Sequence, residues 1–144
     1  MASDTIPARR ERAALCDLFT ELGPDEPTLC GDWTTRDLAA HLVVRERRPD
    51  AAIGIIVSKA AGYTDKVQSG VAAGEWDELV GTVRSGPPIW SPTKIGKIDE
   101  LANTVEFFVH LEDVRRAQPT WEPRDLDDDL TAALYGVLGK MAKR

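Results

Sequence analysis

Ala102-Asn103-Thr104-Val105-Glu106-Phe107-Phe108-Val109-His110 is the stretch that decides how this chain is read. Its alternation of apolar and polar residues predicts the middle of an amphipathic helix running from about Ile98 to about Ala117. Glu106 and His110 are four residues apart, about 400° of helical rotation, so they lie one turn apart on the same face. Ala102, Val105 and Val109 are placed on that face too, which puts the pair on or beside the stripe expected to point inward. A carboxylate and an imidazole are costly to bury unless each finds a partner. The chain's other histidine, His41, also falls on an apolar helical stripe. Two histidines and a carboxylate converging inside a helical bundle point to a bound metal ion.

Working outward, Leu15, Leu18, Phe19 and Leu22 recur at helical spacing, with Asp4 or Thr5 as cap, Pro7 in the first turn and Gly23-Pro24 as the stop. Residues 24–33 read as a loop that closes in Gly31-Asp32-Trp33. Thr34 opens the next helix, with Asp37 completing a variant capping box. Its inward stripe is Leu38, His41, Leu42 and Arg45, and Asp37 stands one turn before His41, placed to bond the imidazole nitrogen that faces away from a metal. Pro49 interrupts this helix. Residues 51–61 read as a short helix, although the β-branched Ile55-Ile56-Val57 would also suit a strand. Residues 62–74 have a weak helical pattern, and residues 75–83 form a further helix through Trp76, Leu79, Val80 and Val83. Ser85 to Pro92 is a rigid proline-containing loop, and Trp121 anchors the loop at 119–124. In the last helix, acidic residues at the start and basic ones at the end match the helix dipole, and Leu130, Ala133, Leu134 and Leu138 face inward. Four main helices, with shorter helical pieces between Arg48 and Pro87, make an all-α four-helix bundle in one domain spanning 1–144.

Composition narrows the function. The chain has 144 residues, 42% hydrophobic and 29% charged, with a net charge of −6. No basic tract exceeds a pair of arginines, which argues against a nucleic-acid partner. No apolar run approaches the roughly 18 to 20 residues of a membrane span, and no secretory signal opens the chain, so a cytoplasmic protein is expected. Cys16 reads as a small core residue and Cys30, in the Cys30-Gly31-Asp32-Trp33 turn, as half-exposed; neither lies in a ligand-spaced cluster.

His41 from one helix with Glu106 and His110 from another would supply the three ligands of a zinc-type site, leaving one position for water or a thiolate. Ni2+, Fe2+ and Mn2+ accept the same ligands as Zn2+. The plainer alternative is a hydrogen-bonded i,i+4 pair at Glu106 and His110 and an ordinary core histidine at His41. Asp113, three residues after His110, belongs to Glu112-Asp113-Val114-Arg115-Arg116, which reads as a solvated charged end, as does Arg45-Glu46-Arg47-Arg48. Within the latter run Arg45 is the residue best placed for substrate work, one turn from His41 and able to clamp a carboxylate bidentately.

The segment from Leu29 to Leu42, with Trp33-Thr34-Thr35-Arg36-Asp37-Leu38-Ala39-Ala40-His41 at its heart, resembles the opening motif of the DinB-like, mycothiol-dependent maleylpyruvate isomerase N-terminal family. Asn103 to Arg116 resembles that family's second motif, and Arg45-Glu46-Arg47-Arg48-Pro49 and Glu112-Asp113-Val114-Arg115-Arg116-Ala117 resemble an actinobacterial, metal-binding subgroup. The resemblance implies a four-helix bundle, His41, Glu106 and His110 as metal ligands, and a low-molecular-weight thiol cosubstrate such as mycothiol. It implies an isomerase or thiol S-transferase in which the ion activates the thiol, which adds to an enediacid double bond and lets it rotate. A small-molecule substrate or thiol and a second copy of the chain in a homodimer are the partners expected, with no nucleic acid and no membrane. The departures are Leu111, where related sequences often carry a second histidine after His110, and the further C-terminal domain of catalytic members, which is expected to be lacking here. The alternative is a metal-binding module without catalysis of its own.

Overall fold

The computed structural model describes residues 6–88, 90 and 97–143. Seven α-helices follow one another among these residues: α1 (Pro7–Leu22), α2 (Thr35–Arg47), α3 (Pro49–Ile56), α4 (Ala61–Ala72), α5 (Trp76–Ser85), α6 (Lys97–Arg116) and α7 (Asp128–Met141), with a 3₁₀ turn at Ser58–Ala60 before α4. The Ile55-Ile56-Val57 segment is the end of a helix and not a strand. The caps expected at Asp4 or Thr5 lie outside the described residues, as do Ile89, Ser91 and Pro92 of the proline-containing loop.

Local chemistry sets the boundaries. Pro7 opens α1 where a missing N–H costs least, and Gly23 ends it with φ 84°, a conformation that favours glycine. Thr34 caps α2 in the expected box, its N–H donating to the Asp37 carboxylate at 3.0 Å. Pro49 sits at the first position of α3, so the proline ends one helix and starts the next. Asp127 caps α7 by accepting the Leu130 N–H at 2.8 Å. Gly54 leaves room for α4 and the turn before it; a Cβ there would run into the Thr64 hydroxyl and meet the Ala60 carbonyl oxygen at 2.5 Å.

The core is a four-walled bundle, as expected, but its fourth wall is α5 and not the last helix. Leu15, Cys16 and Phe19 from α1, Leu38, Ala39, Leu42 and Val43 from α2, Leu79, Val80 and Val83 from α5, and Phe107, Leu111 and Val114 from α6 form one buried cluster. Helices α3 and α4 flank α2, while α7 lies outside α6 and α1. Leu130 is the α7 side chain buried in the fold, whereas Leu138, expected inward, is 59% exposed. The stripe drawn on α6 also moves. Phe107, Leu111 and Val114 face the core, and Val109, rotated about 200° from Phe107, is exposed. Glu106 and His110 therefore sit on the flank of the buried face.

The two charged runs are not solvated throughout: Arg48 and Arg116 reach solvent, but Glu46 and Glu112 are buried. Glu46 is 3% exposed and receives both Arg12 guanidinium nitrogens at 2.6 Å, while Arg12 also donates to the Val83 carbonyl at 2.7 Å and lies over the Phe107 ring. Arg124 donates to both oxygens of the buried Glu11 at 3.1 and 2.9 Å and to Glu112 at 2.7 Å. Glu112 takes further hydrogen bonds from Arg115 and Arg116, each at 2.8 Å. Burial alone would raise its pKa; the hydrogen bonds from Arg116, Arg124 and Arg115 outweigh that and hold its carboxyl below the usual range.

Two outcomes follow for stability. Arg124→Ala leaves the Glu11 carboxylate buried without its cation and is expected to cost about 3 kcal/mol, a fall of about 10 °C in Tm, with Glu11→Gln in the same chain restoring part of the loss. Because the folded Glu112 pKa is depressed, its contribution is present above the unfolded value of 4.5 and is lost as pH falls through the folded value. Urea titrations at descending pH should show that loss, and Glu112→Gln should flatten it.

Candidate metal centre

Two elements bring the candidate residues together. His41 comes from the middle of α2, where burial on nearly all sides fixes the backbone, and Glu106 and His110 come from adjacent turns of α6. Both imidazoles address the same carboxylate oxygen. His41 Nε2–H donates to Glu106 Oε1 at 3.3 Å and His110 Nε2–H donates to it at 3.1 Å. The two rings meet edge to face with centroids 5.3 Å apart, and Trp33 covers the other side of His41 at 5.1 Å. One ligand atom from each of the three residues lies within 4.8 Å of the others.

Arg45 joins the group at its edge. Its Nε stands 3.7 Å from Glu106 Oε1, and its Nη1 donates to Asn103 Oδ1 at 2.9 Å. Burial alone would raise the Glu106 pKa, but the hydrogen bonds from His110 and His41 and the Arg45 charge hold its carboxyl far below the ordinary range. Burial would likewise lower the His110 pKa, but hydrogen bonds to Cys30 and Glu106 carry it up to about 10. The partners of the Glu106 carboxylate are thus the two imidazoles and the Arg45 guanidinium.

The residues around His110 differ from the sequence-based expectation. Asp37 serves the cap of α2 and does not reach His41 as expected. The carboxylate that bonds the outer nitrogen of a histidine is Asp113, whose Oδ2 accepts from His110 Nδ1 at 3.1 Å. The signal was present, since Asp113 is three residues after His110 on the same face. Cys30 is the second residue the spacing did not disclose. Its Sγ donates to Asp113 Oδ2 at 3.1 Å and lies 3.8 Å from His110 Nδ1. Its position depends on the loop before α2, whose path no periodicity describes. Cys16 is a core residue as expected, and burial pushes its thiol up to about 11.

The donor set fits a divalent ion: two imidazole nitrogens and a carboxylate oxygen, converging, with a carboxylate behind one imidazole. These features define a helical-bundle protein with a half-buried two-histidine, one-carboxylate group joining two core helices. The model of the mycothiol maleylpyruvate isomerase N-terminal domain family matches residues 7–142, and the chain belongs to that family. No curated protein and no solved structure matches it. Among the described residues no helix is long and apolar enough to cross a membrane.

Asp113→Asn removes the carboxylate that fixes the His110 ring. It is expected to weaken metal binding at His41, Glu106 and His110 by about 10- to 100-fold while leaving those three ligands in place, measured by competition against a chromophoric chelator.

Proposed function

We propose that this chain holds one divalent ion through His41, Glu106 and His110, most readily Zn2+, with Ni2+, Fe2+ or Mn2+ as substitutes, and that it works in thiol chemistry as an isomerase or thiol S-transferase. The observation that carries the reading is the convergence of both imidazole Nε2 atoms on one Glu106 oxygen. Asp37 and Asp113, the carboxylates one helical turn from His41 and His110, are both engaged elsewhere, which favours a site with an open position. A divalent ion with an open position lowers the pKa of a bound thiol and so supplies a nucleophile at neutral pH. Membership of the mycothiol maleylpyruvate isomerase N-terminal domain family makes a low-molecular-weight thiol of the mycothiol type the cosubstrate to try first.

The protein's own residues then have separate tasks. Asp113 holds the His110 ring in one orientation, Trp33 shields His41 from water, and Arg45 orients a substrate carboxylate at the edge of the group. The second reading is a non-catalytic module whose ion is structural or regulatory. It gains support from the placement of the ligands on two core helices, since an ion there would also staple α2 to α6.

Elemental analysis of the untagged protein is expected to find about one transition-metal ion per chain, and His41→Ala to fall well below that while circular dichroism still reports folded helices. Unchanged metal content in His41→Ala would remove the ligand assignment. Chelation separates the two readings: a structural ion takes most of the stability with it, whereas an ion at an open catalytic position leaves the melting curve nearly in place. The second outcome is expected.

A further inference from the structure

The outer side of the His110 ring carries its own set of donors. Cys30 Sγ, His110 Nδ1 and Asp113 Oδ2 lie 3.1, 3.1 and 3.8 Å apart in pairs, and all three residues are half-buried. Metal–ligand bonds of about 2.0 to 2.3 Å in tetrahedral array give ligand–ligand edges of about 3.3 to 3.6 Å, close to this triangle. Cys30 is carried by a loop that hydrogen bonds hold in place, while His110 and Asp113 stand on α6. Leu29 N–H donates to the Asp113 carbonyl at 3.1 Å, tying the loop to α6. Cys30 N–H donates to Thr28 Oγ1 at 3.1 Å, and that hydroxyl donates to the Trp33 carbonyl at 2.8 Å. Gly31 takes φ 60°, the turn that aims Cys30 at α6.

We propose that Cys30, His110 and Asp113 form a second cation site, thiolate-bearing and suited to a soft divalent ion, on the face of His110 turned away from His41 and Glu106. A thiolate and a carboxylate bring two negative charges, which match a divalent ion, and sulfur sets its preference apart from that of the all-nitrogen-and-oxygen group on the other face. Binding replaces the thiol proton and the Nδ1 proton, both released to solvent, with two bonds to the ion. The two groups share one ring through different nitrogens. Each can be filled alone with a neutral His110, and filling both requires the ring to bridge the two ions as imidazolate. The site does not depend on an ion at His41 and Glu106. The second thiol, Cys16, is fully buried in the core and does not compete.

The test is titration of the chelated protein with Cd2+ alone, following thiolate-to-cadmium charge-transfer absorption in the ultraviolet. The wild type is expected to develop this band to saturation, Cys30→Ser to lack it with its helicity intact, and His41→Ala to keep it. Asp113→Asn is expected to weaken Cd2+ binding by at least about tenfold. No band in the wild type, or a band that survives Cys30→Ser and so arises from Cys16, overturns the proposal. Loss of the band in His41→Ala also overturns it, since the thiolate would then share the ion of the first group. Unchanged Cd2+ affinity in Asp113→Asn removes the carboxylate from the set and with it the site as stated. Elemental analysis of Cys30→Ser keeps the two readings apart: it retains the ion present on purification if His41, Glu106 and His110 hold it, whatever the Cd2+ result.

Discussion

Helix α2 runs through the middle of the bundle with α3, α4 and α5 against it and α1 and α6 beyond the shared core, so each polar side chain it carries has to find a partner inside the protein. Thr35 bonds the Gly23 carbonyl, Glu46 takes the Arg12 fork, Arg45 reaches Asn103 and Glu106, and His41 reaches Glu106. Those partners come from α1, α6 and the loop between α1 and α2. The polar residues of one helix thereby set how its neighbours are placed, and the Glu106 group is one of several such ties.

The ties differ in what they contribute. Arg12 and Glu46 form a bidentate pair with little solvent, in which each charge makes the other tolerable. That pair has no spare valence and is structural. At Glu106 a single carboxylate oxygen faces two imidazoles and a guanidinium, with the side chain 28% exposed. Its partial exposure sets this group apart from the Arg12–Glu46 pair.

Much of this was legible from residue spacing. The apolar repeats of α1 and α2, the Thr34–Asp37 cap and the helix-splitting Pro49 are local features, and the helical bundle follows from them. Glu106 and His110 declare each other because they are one turn apart, and His41 was found as the chain's other histidine on an apolar stripe. The failures share a cause. Arg12 meets Glu46 across 34 positions and Arg124 meets Glu11 across 113, so no local pattern tells a solvated charged run from a buried one. Helices α5 and α7 have similar short apolar repeats, and only their packing shows that α5 closes the core. Asp113 read as part of a charged helix end because its nearest partners, His110 and Cys30, include one from a distant loop.

How far the protein's own side chains satisfy the Glu106 group bears on whether an ion there would be structural. A zinc-dependent fold typically leaves mutually repelling or unpaired ligands when the ion is removed, and the chain opens. In this protein the Glu106 carboxylate keeps both imidazoles and Arg45 as partners, and His110, with its pKa raised to about 10, carries the proton that balances it at neutral pH. No buried side-chain nitrogen or oxygen among the described residues lacks a hydrogen-bond partner. The core cluster itself is apolar and is made by four helices that do not need the group to meet. The polar groups around Glu106 are therefore satisfied by the protein's own side chains, and the fold does not call for an ion to hold α2 against α6. That self-sufficiency is the ground on which the proposed thiol chemistry stands ahead of the proposed staple.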